Sequence, residues 1–194
     1  MAKIPDFDPE DVLLLILEAN QRLLGRSRLS GITRLEKLIF LLEKEGGAGE
    51  IKEKFEFSPH NFGPFSAEVY NAKDFLRGIG LINEESQPLA SYYAGAAEMA
   101  IQNLTDDAEE ELPSEAVAHE KVFELTDLGR KAASNLRSDL QKHWPQLVQG
   151  IDRVVSKYGD LPLNQIIRYV YQRYPETTTK SVHPEARRVR ARAG

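Results

Sequence analysis

The chain has 194 residues, 41% of them hydrophobic and 28% charged, with a formal net charge of −5 and no cysteine. That length suits one domain of ordinary size with a small accessory piece, and the composition is that of a globular protein. Without cysteine, thiolate catalysis, a cysteine zinc site and a disulfide framework are excluded, and a reducing cytoplasm is the expected compartment. The N-terminus, Met1 to Asp6, lacks the apolar run of a signal peptide. Stretches such as Val12 to Leu17 are too short to span a bilayer, so no membrane partner is expected.

Asp8-Pro9-Glu10-Asp11 predicts a helix start: Asp8 can cap, Pro9 suits the first turn and two acids follow. Val12, Leu13, Ile16, Leu17, Asn20, Leu23 and Leu24 keep a helical face up to Gly25. Arg26-Ser27-Arg28 reads as a basic turn. A second helix is expected from Thr33 to Lys44, apolar over more than half its circumference and stopped by Gly46-Gly47. Lys54-Phe55-Glu56-Phe57 alternates as a short strand would, and Ser58 to Ser66, containing Gly63-Pro64, reads as a loop. Ser66 is placed to cap a third helix whose inward face is Val69, Tyr70, Ala72, Phe75 and Leu76.

Leu81-Ile82 begins a strand, and Lys121 to Leu125 another, which Thr126 ends by capping a long helix toward Trp144. Between them, Leu89 to Leu104 is rich in alanine and could be helical, while the acidic stretch Thr105 to Ser114 reads as a loop. Two more helices are expected, Leu147 to Tyr158 and Leu163 to Tyr174, followed by a fraying tail. The predicted fold is therefore mainly α: a winged-helix domain over 8–135 whose small β-hairpin wing carries an acidic insertion at 83–120. A C-terminal helical extension over 136–176 and a flexible basic tail over 177–194 complete it.

Charge is segregated along the chain. Residues 1–82 carry a net −2, residues 83–120 carry ten acids and no lysine or arginine, and residues 121–194 carry a net +7. Segregation of this kind bears on the choice of partner rather than on the fold.

Val122-Phe123-Glu124-Leu125-Thr126-Asp127-Leu128-Gly129 resembles the end of a winged-helix wing, where a Leu-Thr-x-x-Gly turn caps the next helix. Three further pieces carry a closer likeness: Arg34 to Leu41; Phe62-Gly63-Pro64-Phe65-Ser66 with Val69-Tyr70; and Tyr169-Val170-Tyr171 with Tyr174-Pro175-Glu176. Together they resemble the YwgA-type proteins and the related Panacea (SocA-like) antitoxin domains. The likeness spans most of 30–82 and parts of 121–181 and leaves out the acidic insertion. It implies a non-enzymatic helical interaction domain and brings no catalytic residues with it.

His60, His119, His143 and His183 lie on different elements, without the spacing of a helical metal pair. Gly46-Gly47-Ala48-Gly49 lacks the Lys-Ser/Thr of a phosphate loop. No catalytic, cofactor or metal residues are therefore assigned. Asp106, Asp107, Glu109, Glu110 and Glu111 are the expected contacts to a protein partner, one with a basic surface such as a toxin or a defence-system component. Their field would steer it over a Debye length of about 8 Å. The alternative is a DNA-binding regulator contacting nucleic acid through Arg26, Arg28, Arg34, Asn71, Lys73 and Arg77. Against it, each phosphate contact needs a cation, and the expected wing is acidic. Tyr169, Tyr171 and Tyr174 offer more apolar surface than one helix face needs, for internal packing or a homodimer seam.

Overall fold

The computed structural model describes residues 6–52, 54–88 and 119–193. Their element order is α1 (Pro9–Leu24), β1 (Arg28–Ser30), α2 (Ile32–Glu45), β2 (Ser58–His60), β3 (Gly63–Phe65), α3 (Ala67–Gly78), β4 (Ile82–Pro88), β5 (His119–Leu125), α4 (Asp127–His143), α5 (Pro145–Tyr158), α6 (Leu163–Arg173) and α7 (Pro184–Ala193). The sheet runs β1-β5-β4, all antiparallel, and β2 and β3 form a separate hairpin. The fold is mainly α with a small β wing, the class expected from the sequence.

α1 is central because it is apolar almost all round. Val12 to Leu17 are all buried, and the helix packs against α3, α4 and α5. Asp11 accepts a hydrogen bond from the Asp8 N–H (3.0 Å) at its start, and Gly25, at φ 67°, turns the chain left-handed at its end. The buried Asn20 then donates to the carbonyls of Arg26 (2.7 Å) and Arg28 (3.2 Å). This steers what reads as a basic turn into strand β1, where Leu29 lies opposite Phe123. Three residues with one buried side chain are too few to show periodicity.

The strand expected over 54–57 is absent. Phe55 is buried and Phe57 packs edge-on to Phe40 (5.3 Å), while Glu56 sits at φ 46°, which breaks any extended run. The alternation there records two aromatic anchors. The strands lie instead at 58–60 and 63–65, within the expected loop.

The wing is longer than expected, pairing Ile82 with Leu125 through to Pro88 with His119. Residues 83–88 and 119–120 of the acidic insertion are thus strand. The readings for Leu89–Leu104 and Thr105–Ser114 lie outside the described residues.

The Leu-Thr-x-x-Gly turn works as a clamp. Thr126 Oγ1 accepts from the Gly129 N–H (3.0 Å) and donates to the Gly80 carbonyl (2.7 Å), while the Thr126 N–H donates to the Leu81 carbonyl (3.0 Å). A Cβ on Gly129 would stand 1.9 Å from the Leu81 oxygen. Only glycine lets α4 approach β4 this closely.

The expected division at 135–136 falls inside α4. Leu140, Leu147, Ile151, Ile166, Val170 and Tyr171 belong to the same hydrophobic cluster as the α1 and α2 residues. Gly150 lets α5 cross α2 tightly, since a Cβ there would lie 2.6 Å from the Gly46 oxygen. Glu45 closes this end, accepting from the hydroxyls of Tyr158 (2.5 Å), Tyr169 (2.7 Å) and Tyr174 (2.9 Å).

The expected flexible tail is a folded segment. After a 3₁₀ turn at Pro175–Thr178, residues Thr177, Thr178, Ser181 and His183 are buried, and α7 follows with Ala186 in the core. Ser181 Oγ donates to the Asn61 carbonyl (2.9 Å), and the Val182 N–H reaches the same oxygen (3.0 Å). Tyr171 OH, 2.9 Å from Ser181 Oγ, completes the contact. Pro184-Glu185 is a helix-start signal that could have revealed α7.

Gly129→Ala should lower stability in urea unfolding by about 3 kcal/mol through overpacking, and Thr126→Ala by about 1 kcal/mol as a lost cap. Burial pushes the Glu45 carboxyl up, but its three tyrosine donors and Lys157 outweigh that and hold it below its ordinary value of 4.5. A depressed carboxylate stabilises the fold above that value and stops doing so as pH falls through its folded pKa. The melting-temperature gap between wild type and Glu45→Gln should therefore be present at pH 7 and close below pH 4.5.

Candidate functional site

α3 and the wing form one surface. Ser66 caps α3, accepting from the Val69 N–H (3.4 Å). The inward face is Val69, Ala72, Lys73 and Leu76. Phe75, expected to point inward, is 54% exposed, because the face set by 69, 72 and 76 passes through position 73 rather than 75. Ile79 is 49% exposed and Leu128, next to the Thr126 clamp, 58%. Large apolar side chains thus stand on the outer side of α3 and beside its end.

The cations of this surface are already engaged. Lys73 Nζ lies 2.7 Å from Glu84 Oε2 and 2.8 Å from Asp74 Oδ1, and Arg77 pairs with Asp74 at 3.1 Å. Lys121 reaches the other Glu84 oxygen at 3.2 Å. Burial would lower the Lys73 pKa, yet its hydrogen bonds to Asp74 and Glu84 raise it. Burial would raise that of Glu84, yet Lys73 and Lys121 lower it. Both groups stay charged at neutral pH.

The other proposed nucleic-acid contacts are committed within the chain too. Arg28 bridges Glu85 (2.9 Å) and Glu124 (3.3 Å) across the sheet, and Arg26 pairs with Asp160 (2.9 Å). Arg34 donates to the carbonyls of Gly159 (3.1 Å) and Leu161 (2.7 Å), and Asn71 to Glu68 (3.2 Å). Asp106, Asp107, Glu109, Glu110 and Glu111 lie outside the described residues.

A second feature escaped the sequence reading. The segments Arg34–Leu41, Phe62–Ser66 and Tyr70 converge on one half-open cavity of about 90 Å³, lined by Thr33, Glu36, Lys37, His60, Phe65 and Tyr70 among others. At its base Lys37, only 1% exposed, donates to the Pro64 carbonyl (2.8 Å) and lies 3.6 Å from Glu36, itself 5% exposed. The Ser66 N–H points to the other Glu36 oxygen at 3.4 Å. Burial pushes the Glu36 carboxyl up and the Lys37 ammonium down, each partly offset by the other. The signal for the pair was two adjacent charges inside an otherwise apolar helix.

The late tyrosines face inward: Tyr171 is buried, its ring against Gly63, and Tyr169 and Tyr174 bind Glu45. Among the described residues no three His, Asp or Glu side chains form a group that could hold a metal ion, and no helix is long and apolar enough to cross a membrane. No protein-family model matches the sequence, and comparison with curated proteins finds no match.

Lys73→Met removes the closest partner of a shielded carboxylate. Stability should fall by about 2 kcal/mol, and the Glu84 pKa, followed by carboxyl NMR, should rise.

Proposed function

We propose that this protein is a non-enzymatic interaction protein, regulatory or antitoxin-like, that binds a partner protein through the α3–wing surface and the acidic run 106–111. The observation that carries this reading is the outer face of α3, where exposed Phe75 and Ile79 stand beside cations already neutralised by Asp74 and Glu84. Apolar anchors ringed by charge suit a protein surface. A DNA backbone would have to break these ion pairs before it gained any counterion release. The resemblance to YwgA-type and Panacea antitoxin domains supports the same class. It points to a partner with a basic surface, a toxin or a defence-system component, met in the cytoplasm.

One observation favours a DNA-binding regulator as the second reading: α1, β1, α2, α3 and a two-stranded wing succeed one another much as in a winged helix, with the β2–β3 hairpin inserted between α2 and α3. The two separate experimentally. A photocrosslinker replacing Phe75 should yield a protein adduct in cells, with none from a crosslinker at the exposed Lys131 on α4. A fluorescent random duplex at low salt should bind no tighter than roughly 10 µM. Submicromolar binding with a steep salt slope, or a nucleic-acid adduct at position 75, would reverse the choice.

A further inference from the structure

We infer that the cavity between α2, the β2–β3 hairpin and α3 is a socket for an arginine side chain of the partner protein. The carboxylate of Glu36 lines this cavity. An ionised carboxylate can accept about four hydrogen bonds. Glu36 has only two approaches among the described residues, both long: the Ser66 N–H at 3.4 Å and Lys37 at 3.6 Å. A carboxylate this deeply buried and this poorly supplied calls for further donors.

The walls say which donor. His60 and Phe65 lie 5.0 Å apart with their planes at 36°, and Phe65 and Tyr70 lie 5.4 Å apart at 38°, a nearly continuous aromatic side to the opening. A flat, weakly hydrated guanidinium stacks on such faces and presents paired N–H groups to a carboxylate. An ammonium is compact and strongly hydrated and gains less from the rings. A cavity of about 90 Å³, several times what a single water needs, has room for a guanidinium head. The Thr33 and Tyr70 hydroxyls also line the space and make no hydrogen bond among the described residues, so they can accept its outer N–H groups.

Anions fit poorly. Lys37 already donates to the Pro64 carbonyl and lies 3.6 Å from Glu36, so an anion would gain little from it and would be repelled by the carboxylate.

The source of the arginine rests on the partner-protein reading. The socket itself is tested without a partner, by titrating the full chain with ethylguanidinium, ethylammonium and propionate and following backbone amide resonances. Ethylguanidinium should give saturable shifts at Glu36, Gly63, Ser66 and Tyr70, about tenfold tighter than ethylammonium, and propionate none. Glu36→Gln should weaken the guanidinium at least about tenfold. Phe65→Ala, at a half-buried wall position, should weaken it several-fold and serves if the Glu36 variant does not fold. No saturable shift with any probe, meaning that water alone fills the space, would overturn the socket. So would propionate binding, or unchanged affinity in both variants. Any of these outcomes leaves the crosslink at position 75 standing, so failure of the socket is distinguishable from failure of the partner reading.

Discussion

A carboxylate and an ammonium adjacent on a helix that is buried on nearly every side leave the chain little freedom. Glu36 and Lys37 are both almost wholly buried, so each depends on partners inside the fold or in the cavity that they line. Lys37 takes the Pro64 carbonyl and Glu36 faces the Ser66 N–H, which fastens the β2–β3 hairpin and the cap of α3 to α2. From that hairpin the rest of the C-terminal side follows. Gly63 admits the ring of Tyr171, and Asn61 receives Ser181 and Val182. One internal ion pair thus organises contacts among segments separated by more than a hundred residues.

The α3–wing surface obeys a different electrostatic rule. Around Glu84, three cations and Asp74 satisfy one another at the edge of the wing, so α3 offers a partner little free positive charge. Phe75, Ile79 and Leu128 remain outward. Desolvating these apolar side chains against another protein is favourable, whereas the paired lysine and arginines have already surrendered the charge that nucleic-acid binding needs. Both the surface and the socket favour a cationic protein over a polyanion, the first by its neutralised cations and the second by an undersupplied carboxylate.

Strong local signals were legible in the sequence. Asp8-Pro9, Ser66 and Thr126 mark helix starts because a cap depends on three or four neighbouring residues. α1, α2, α5 and α6 are long enough to display a helical period. Strand β1 was not legible, since its three residues are extended only through pairing with β5. Phe75 was misjudged because apolar character alone does not say which of two neighbouring helix positions faces inward, and Lys73 took the inner one by carrying its charge to Glu84. The segment after Pro175 looked loose because its composition is polar and basic. Its order comes from a carbonyl at Asn61 more than a hundred residues away.

By itself the sequence determined helices α1 to α6, the wing strands flanking the acidic insertion, the mainly α class and the segregation of charge, all properties of short range or of composition. Only the tertiary structure decided that Phe75 and Ile79 are outward, that the arginines are already paired, and that two of the three motif pieces line one cavity. The physical reason is that burial and ion pairing depend on which distant residues arrive at the same place, and no local pattern encodes that.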